Sequence, residues 1–66
     1  MKNKIKVERA INNLTQEDLA KKVGVSRQTI NAMEANKYVP STVLALKIAG
    51  LFKKPVESIF FLDEND

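Results

Sequence analysis

Sixty-six residues and 7.4 kDa hold one small domain, and a chain this short buries only about 60% of the surface it exposes when unfolded. With no cysteine and no histidine, it lacks a disulfide staple, a thiolate zinc site and the commonest acid–base catalyst. Closely packed helices or a second copy of the chain must supply the stability instead. The net charge of +3 is unevenly placed. Residues 1–40 carry eight Lys/Arg and four acids, whereas residues 41–66 carry three and four, so the first part stands at +4 and the rest at −1. An anionic partner therefore belongs to the first two-thirds of the chain. No stretch nears the ~20 apolar residues of a membrane span. The charged start MKNKIKVERA has no apolar signal region, so a cytoplasmic protein with no membrane partner is expected.

Turn and cap signals predict five short helices. The first runs from about Asn3 to Ile11, with Ile5, Val7, Ala10 and Ile11 as apolar positions, and Asn12-Asn13 ends it. Thr15, with Asp18 three residues on, reads as a capping box opening a helix over 16–23, whose apolar stripe is Leu19, Ala20 and Val23. Gly24 supplies the left-handed residue that follows a helix end. Ser26 caps a third helix, 27–35, held inward by Ile30 and Met33 and otherwise polar. The loop Asn36-Lys37-Tyr38-Val39-Pro40 leads to Ser41, which caps a helix over 42–52. That helix is apolar almost all round, so it is expected to be buried in the centre of the core, with Lys47 snorkelling to water. Pro55 suits the first turn of a short fifth helix ending at Ile59, before Phe60-Phe61-Leu62 and the acidic tail 63–66. One all-α domain over 1–66 is the expectation.

The informative stretch is TQEDLAKKVGVSRQTINAME, residues 15–34. Two short helices meet through Gly24-Val25-Ser26. Ala20 is small where the second helix crosses, and Ile30 pins that helix down. Ser26, Arg27, Gln28 and Thr29, then Asn31 one turn on, are left facing outward. In a helix-turn-helix the second helix lies in the DNA major groove with its first residues against base edges. Arg27 can then bond guanine O6 and N7, Gln28 can bond adenine N6 and N7, and Thr29 or Ala32 can pack on a thymine methyl. Gln16, at a helix N-terminus, can anchor a phosphate, and Lys37 and Tyr38 are placed for the neighbouring DNA backbone.

The run LTQEDLAKKVGVSRQTINAMEANKYVPS resembles the lambda-repressor-like, XRE-type helix-turn-helix domain, over about Ile5 to Phe60. More narrowly, it is similar to the short stand-alone regulators of the cytolysin-operon repressor kind. The resemblance implies a five-helix bundle with a small antiparallel sheet between the two chain ends, and operator binding as a homodimer. It implies base contacts from Arg27, Gln28 and Asn31, and backbone contacts from Gln16, Ser26, Asn36, Lys37 and Tyr38. It also implies that Glu34 serves as an internal partner to Arg9 or to a backbone group. The sequence departs from the pattern at Val39, where relatives often carry a polar residue.

Large apolar side chains beside an acidic tail are more than a small bundle is expected to hide, and an exposed apolar patch marks an interface. A two-fold dimer through segment 55–62, using Val56, Ile59, Phe60, Phe61 and Leu62, is therefore expected. The leading function is a homodimeric repressor of double-stranded DNA, with the helix-turn-helix at 16–35 reading a near-palindromic operator. An antitoxin-like, partner-binding module on the same fold is the alternative. Catalysis is not expected, because Glu17 and Asp18 diverge on their helix and there is no glycine-rich phosphate loop. No cofactor, metal or small-molecule effector is expected either.

Overall fold

A computed structural model describes residues 1–66. Its elements in chain order are β1 (Lys2–Asn3), α1 (Ile5–Ile11), α2 (Gln16–Val23), α3 (Arg27–Glu34), α4 (Thr42–Phe52), α5 (Val56–Ile59) and β2 (Phe60–Phe61). The two strands pair antiparallel, Lys2 opposite Phe61 and Asn3 opposite Phe60, so the chain ends meet in the small sheet that the resemblance implies. None of the helices is long and apolar enough to cross a membrane.

Local chemistry sets most of the boundaries. The Thr15 hydroxyl accepts from the Asp18 N–H while the Asp18 carboxylate accepts from the Thr15 N–H, both at 3.0 Å. This closes the capping box of α2. Ser26 and Ser41 cap α3 and α4 by accepting from the N–H of Thr29 and Leu44. Gly24 ends α2 in the left-handed region at φ 78°, where its missing Cβ removes the usual penalty.

The start of α1 differs from the expectation of a helix from Asn3. Asn3 is extended, paired in β1, and its side-chain oxygen accepts from the Ile5 N–H at 3.2 Å. That oxygen satisfies one of the free N–H donors at a helix start, so the helix begins at Ile5. The Asn3 amide nitrogen donates to the Met33 carbonyl at 2.8 Å, which ties the sheet to the end of α3. Helix α3 stops at Glu34, with Ala35 as its C-cap and Asn36 left-handed at φ 60°. Pro55 caps α5 from just outside the helix.

The core is built from Ile5, Leu19, Ala20, Val23, Ile30, Met33, Leu44, Ile48, Phe52, Ile59 and Phe60. Burial departs from the apolar pattern of the sequence in three places. In α1 only Ile5 of the apolar set is buried; Val7 and Ile11 are 54% and 64% exposed. The inward position one turn after Ile5 is taken by Glu8, which is buried and accepts from the Lys54 ammonium at 2.6 Å. A charge can lie there because it is paired.

Helix α4 is not buried all round. Leu44, Ile48, Ala49 and Phe52 face the core, but Val43 and Leu46 are 63% and 55% exposed and Lys47 stands in water. A chain this small has α2 and α5 to lay against one side of α4 and nothing for the other. Finally, Ile59 and Phe60, expected at a dimer interface, are buried within the single chain, and Val56 packs half-buried against the same core. The strand pairing draws Phe60 inward, and Phe61 and Leu62 are left facing out.

Candidate nucleic-acid interface

Helices α2 and α3 pack directly against each other, and the turn between them sets how they meet. The N–H groups of Gly24 and Val25 both donate to the Ala20 carbonyl, at 2.9 and 3.0 Å, folding the chain back over Ala20, which is buried. Ile30 and Met33, both fully buried, then fix α3 from below. Ser26, Arg27, Gln28 and Asn31 remain exposed, with Thr29 half-buried. On a helix, residues three and four apart are neighbours, so Arg27, Gln28 and Asn31 share one outward face. The loop beyond presents Asn36, Lys37 and Tyr38 to solvent.

Several of these side chains have partners inside the chain. The Ser26 and Thr29 hydroxyls bond each other at 3.0 Å. Asn36 accepts from the Asn3 amide at 3.4 Å, so it is steadied by β1. Gln16, read from the sequence as a free phosphate ligand, bridges two groups. Its amide nitrogen donates to Glu34 Oε1 at 3.1 Å and its oxygen accepts from the Asn31 amide at 3.4 Å. The sequence reading missed this link, and no spacing signal could have revealed it, because Gln16 and Asn31 are brought together only by the turn. Arg27 lies with Gln16 along a shallow concavity that Arg9, Leu14, Thr15 and Glu17 also line.

Behind this face, Arg9 grips Glu34 with two N–H groups, Nε to Oε2 at 2.6 Å and Nη2 to Oε1 at 2.9 Å. Its third contact, Nη1 to the Leu14 carbonyl at 2.9 Å, holds the α1–α2 loop. Glu34 is thus the internal partner of Arg9 that the resemblance implies. Burial alone pushes the Glu34 carboxyl up, but the hydrogen bonds from Arg9 and Gln16 outweigh it and hold it below the ordinary range.

A carboxyl held low in the folded state and ordinary in the unfolded one contributes stability that is complete above its unfolded value. That stability is lost as pH falls through the folded value. Asp18 is lowered as well, first by its bond from the Thr15 backbone. The urea midpoint is therefore expected to fall as pH drops below about 4.5, the ordinary value for Glu. The Glu34→Gln chain should be less stable at pH 7 and should lose less between pH 5 and 3. Parallel slopes for the two chains would contradict this.

A short helix pair joined by a glycine turn, with the second helix anchored by its apolar side and displaying a polar first turn, defines a helix-turn-helix DNA-binding domain. The comparisons agree. The helix-turn-helix family profile matches residues 5–59. An uncharacterised HTH-type transcriptional regulator of Methanocaldococcus jannaschii is 59% identical over 66 residues, covering the whole of both chains. One from Archaeoglobus fulgidus is 52% identical over all of this chain and 93% of its own. The HTH-type transcriptional regulator YgzD of Bacillus subtilis is 48% identical, again over the whole of both. The chain belongs to the XRE-type helix-turn-helix family, and it is a transcriptional regulator built on that DNA-binding domain.

Proposed function

We propose that the chain is a homodimeric repressor, a single domain over 1–66 that acts on DNA in the cytoplasm. It reads a near-palindromic operator by inserting α3 into the major groove. Arg27, Gln28 and Asn31 contact base edges, with Thr29 beside them, while Gln16, Ser26, Asn36, Lys37 and Tyr38 hold the phosphate backbone. The observation that carries this reading is the contrast within α3, where Ile30 and Met33 are fully buried beneath an exposed Arg27, Gln28 and Asn31. Any surface helix is polar on its wet side; here that side carries side chains able to read base edges, at the start of the second helix of a helix-turn-helix.

The dimer reading draws on size and on the uncovered end of segment 55–62. Leu62 is 75% exposed beside the partly exposed Phe61. The molecule measures 30 × 23 × 21 Å. Binding a palindrome requires the two α3 helices of such a dimer to lie about one DNA turn apart, about 34 Å, a spacing that a molecule of this size can span.

Selection from a random duplex library at about 150 mM salt tests both halves of the proposal. The expected product is a two-fold symmetric motif with half-sites about 10 base pairs apart, centre to centre. Leu62→Asp is expected to give a folded chain that sediments as a monomer and binds that motif more weakly. A motif without symmetry would remove the dimer, and retention with no motif at all would remove sequence-specific reading.

A further inference from the structure

Arg9, Glu34, Gln16 and Asn31 form one continuous chain of hydrogen bonds, running from inside the domain to the face that displays α3. The chemistry of its members gives that chain a direction. Arg9 can only donate, and an ionised Glu34 can only accept. Gln16 must therefore turn its amide nitrogen toward Glu34, which leaves its oxygen for Asn31. Facing that oxygen, Asn31 must in turn use one of its own N–H groups. What Asn31 has left to offer is its oxygen and its second N–H, in one fixed arrangement rather than two.

We propose that Glu34 is a positioning residue for base reading. By holding the donor end of Gln16, it fixes which way round the Asn31 amide meets the DNA. The inference rests on the proposed role of Asn31 as a base reader and goes beyond it. An asparagine amide that accepts from adenine N6 and donates to N7 reads that edge only in one orientation. An exposed amide flips easily, and a flipped one places donor against donor and acceptor against acceptor. Glu34 touches no base and acts only through Gln16. An amide at position 34 would have to present its NH2 to Arg9 or to Gln16, so the direction of the chain would no longer be fixed.

The test compares the wild-type chain, Glu34→Gln, Asn31→Ala and the double variant. Each binds the selected operator, every single-base-pair change of it, and an unrelated duplex, at one salt concentration. Glu34→Gln is expected to relax discrimination about threefold to tenfold at one base pair, the range for freeing one ordered side chain. That base pair should be the one Asn31→Ala relaxes, the double variant should lose no more than Asn31→Ala alone, and the unrelated duplex should bind as before. Equal weakening on every duplex, relaxation at a different base pair, or full additivity would each overturn the proposal. If Glu34→Gln melts too easily to assay, Gln16→Leu cuts the same link and leaves the Arg9 pair intact. It is expected to relax the same base pair, on top of a uniform loss from its phosphate contact.

If Asn31→Ala leaves every preference intact while Arg27→Ala does not, the positioning role falls and α3 remains the reading helix. If neither variant changes any preference, the assignment of α3 as the reader falls with it.

Discussion

Truncating Ile30 to alanine is expected to lower the urea midpoint far more than truncating any exposed side chain of α3. The side chain is fully buried, packed in the core beneath the face that carries Arg27 and Asn31. An Ile-to-Ala truncation in a packed core costs about 2–5 kcal/mol, the lost transfer energy plus the cavity left behind. The whole stability of 66 residues is on the order of 3–10 kcal/mol, so the variant forfeits a large part of it. With a urea dependence of about 1 kcal/mol per molar for so small a chain, the midpoint should drop by about 2 M or more. Val7→Ala is the matched control. Val7 is equally aliphatic but 54% exposed, and its truncation should change stability by less than about 0.5 kcal/mol. Circular dichroism in urea, with both variants at one protein concentration, reads the contrast. Equal shifts for the two would mean that α3 is not anchored as described.

That contrast also shows where the sequence is a sufficient guide. The caps at Thr15, Ser26 and Ser41 and the left-handed Gly24 are decided within four residues of chain, so spacing alone reveals them. The resemblance supplied the sheet between the chain ends and the Arg9–Glu34 pair. What stayed hidden was burial, which depends on how much chain is available to cover a surface. Val7 and Ile11 lie on apolar spacing yet face water because Glu8, paired with Lys54, holds the inner side of α1. Val43 and Leu46 lie on a helix apolar enough to be central, yet the fold has no further element to lay over them. Ile59 and Phe60 were too apolar to assign to a small bundle by pattern, and the β1–β2 pairing is what brings Phe60 under cover.

The site divides along the same line. The exposure of Arg27, Gln28 and Asn31 was legible because a polar first turn on an anchored helix is a pattern within eight residues. The bridge through Gln16 joins positions 15 and 18 residues apart. It exists only because the Gly24 turn lays the start of α2 beside the end of α3. Tertiary geometry made that contact, and it converts a residue read as a simple phosphate ligand into a link between the domain interior and its surface.

Arg27→Ala is expected to leave the fold untouched and to remove most of the preference for one base pair. Arg27 is exposed and is absent from the ion pairs of the chain, so its loss should move the urea midpoint by less than about 0.5 kcal/mol equivalent. Against a guanine, its planar fork supplies two parallel donors to O6 and N7, a contact worth about 1–3 kcal/mol of discrimination. At a factor of ten per 1.4 kcal/mol, that is about fivefold to 150-fold. Arg27→Lys separates fork from charge. It keeps the attraction to phosphates and a donor for guanine but loses the rigid planar fork, so it should fall between wild type and alanine in discrimination while binding unrelated DNA like the wild type. Lys37→Ala should behave in the opposite way. As a proposed phosphate contact it should weaken every duplex alike and reduce the slope of log affinity against log salt by about one. Titrations of the three variants on the selected operator, its single-base changes and an unrelated duplex, at several salt concentrations, separate the two behaviours. Arg27→Ala retaining the full preference would show that this side chain reads no base, and the base-reading role would then have to rest on Gln28 and Asn31.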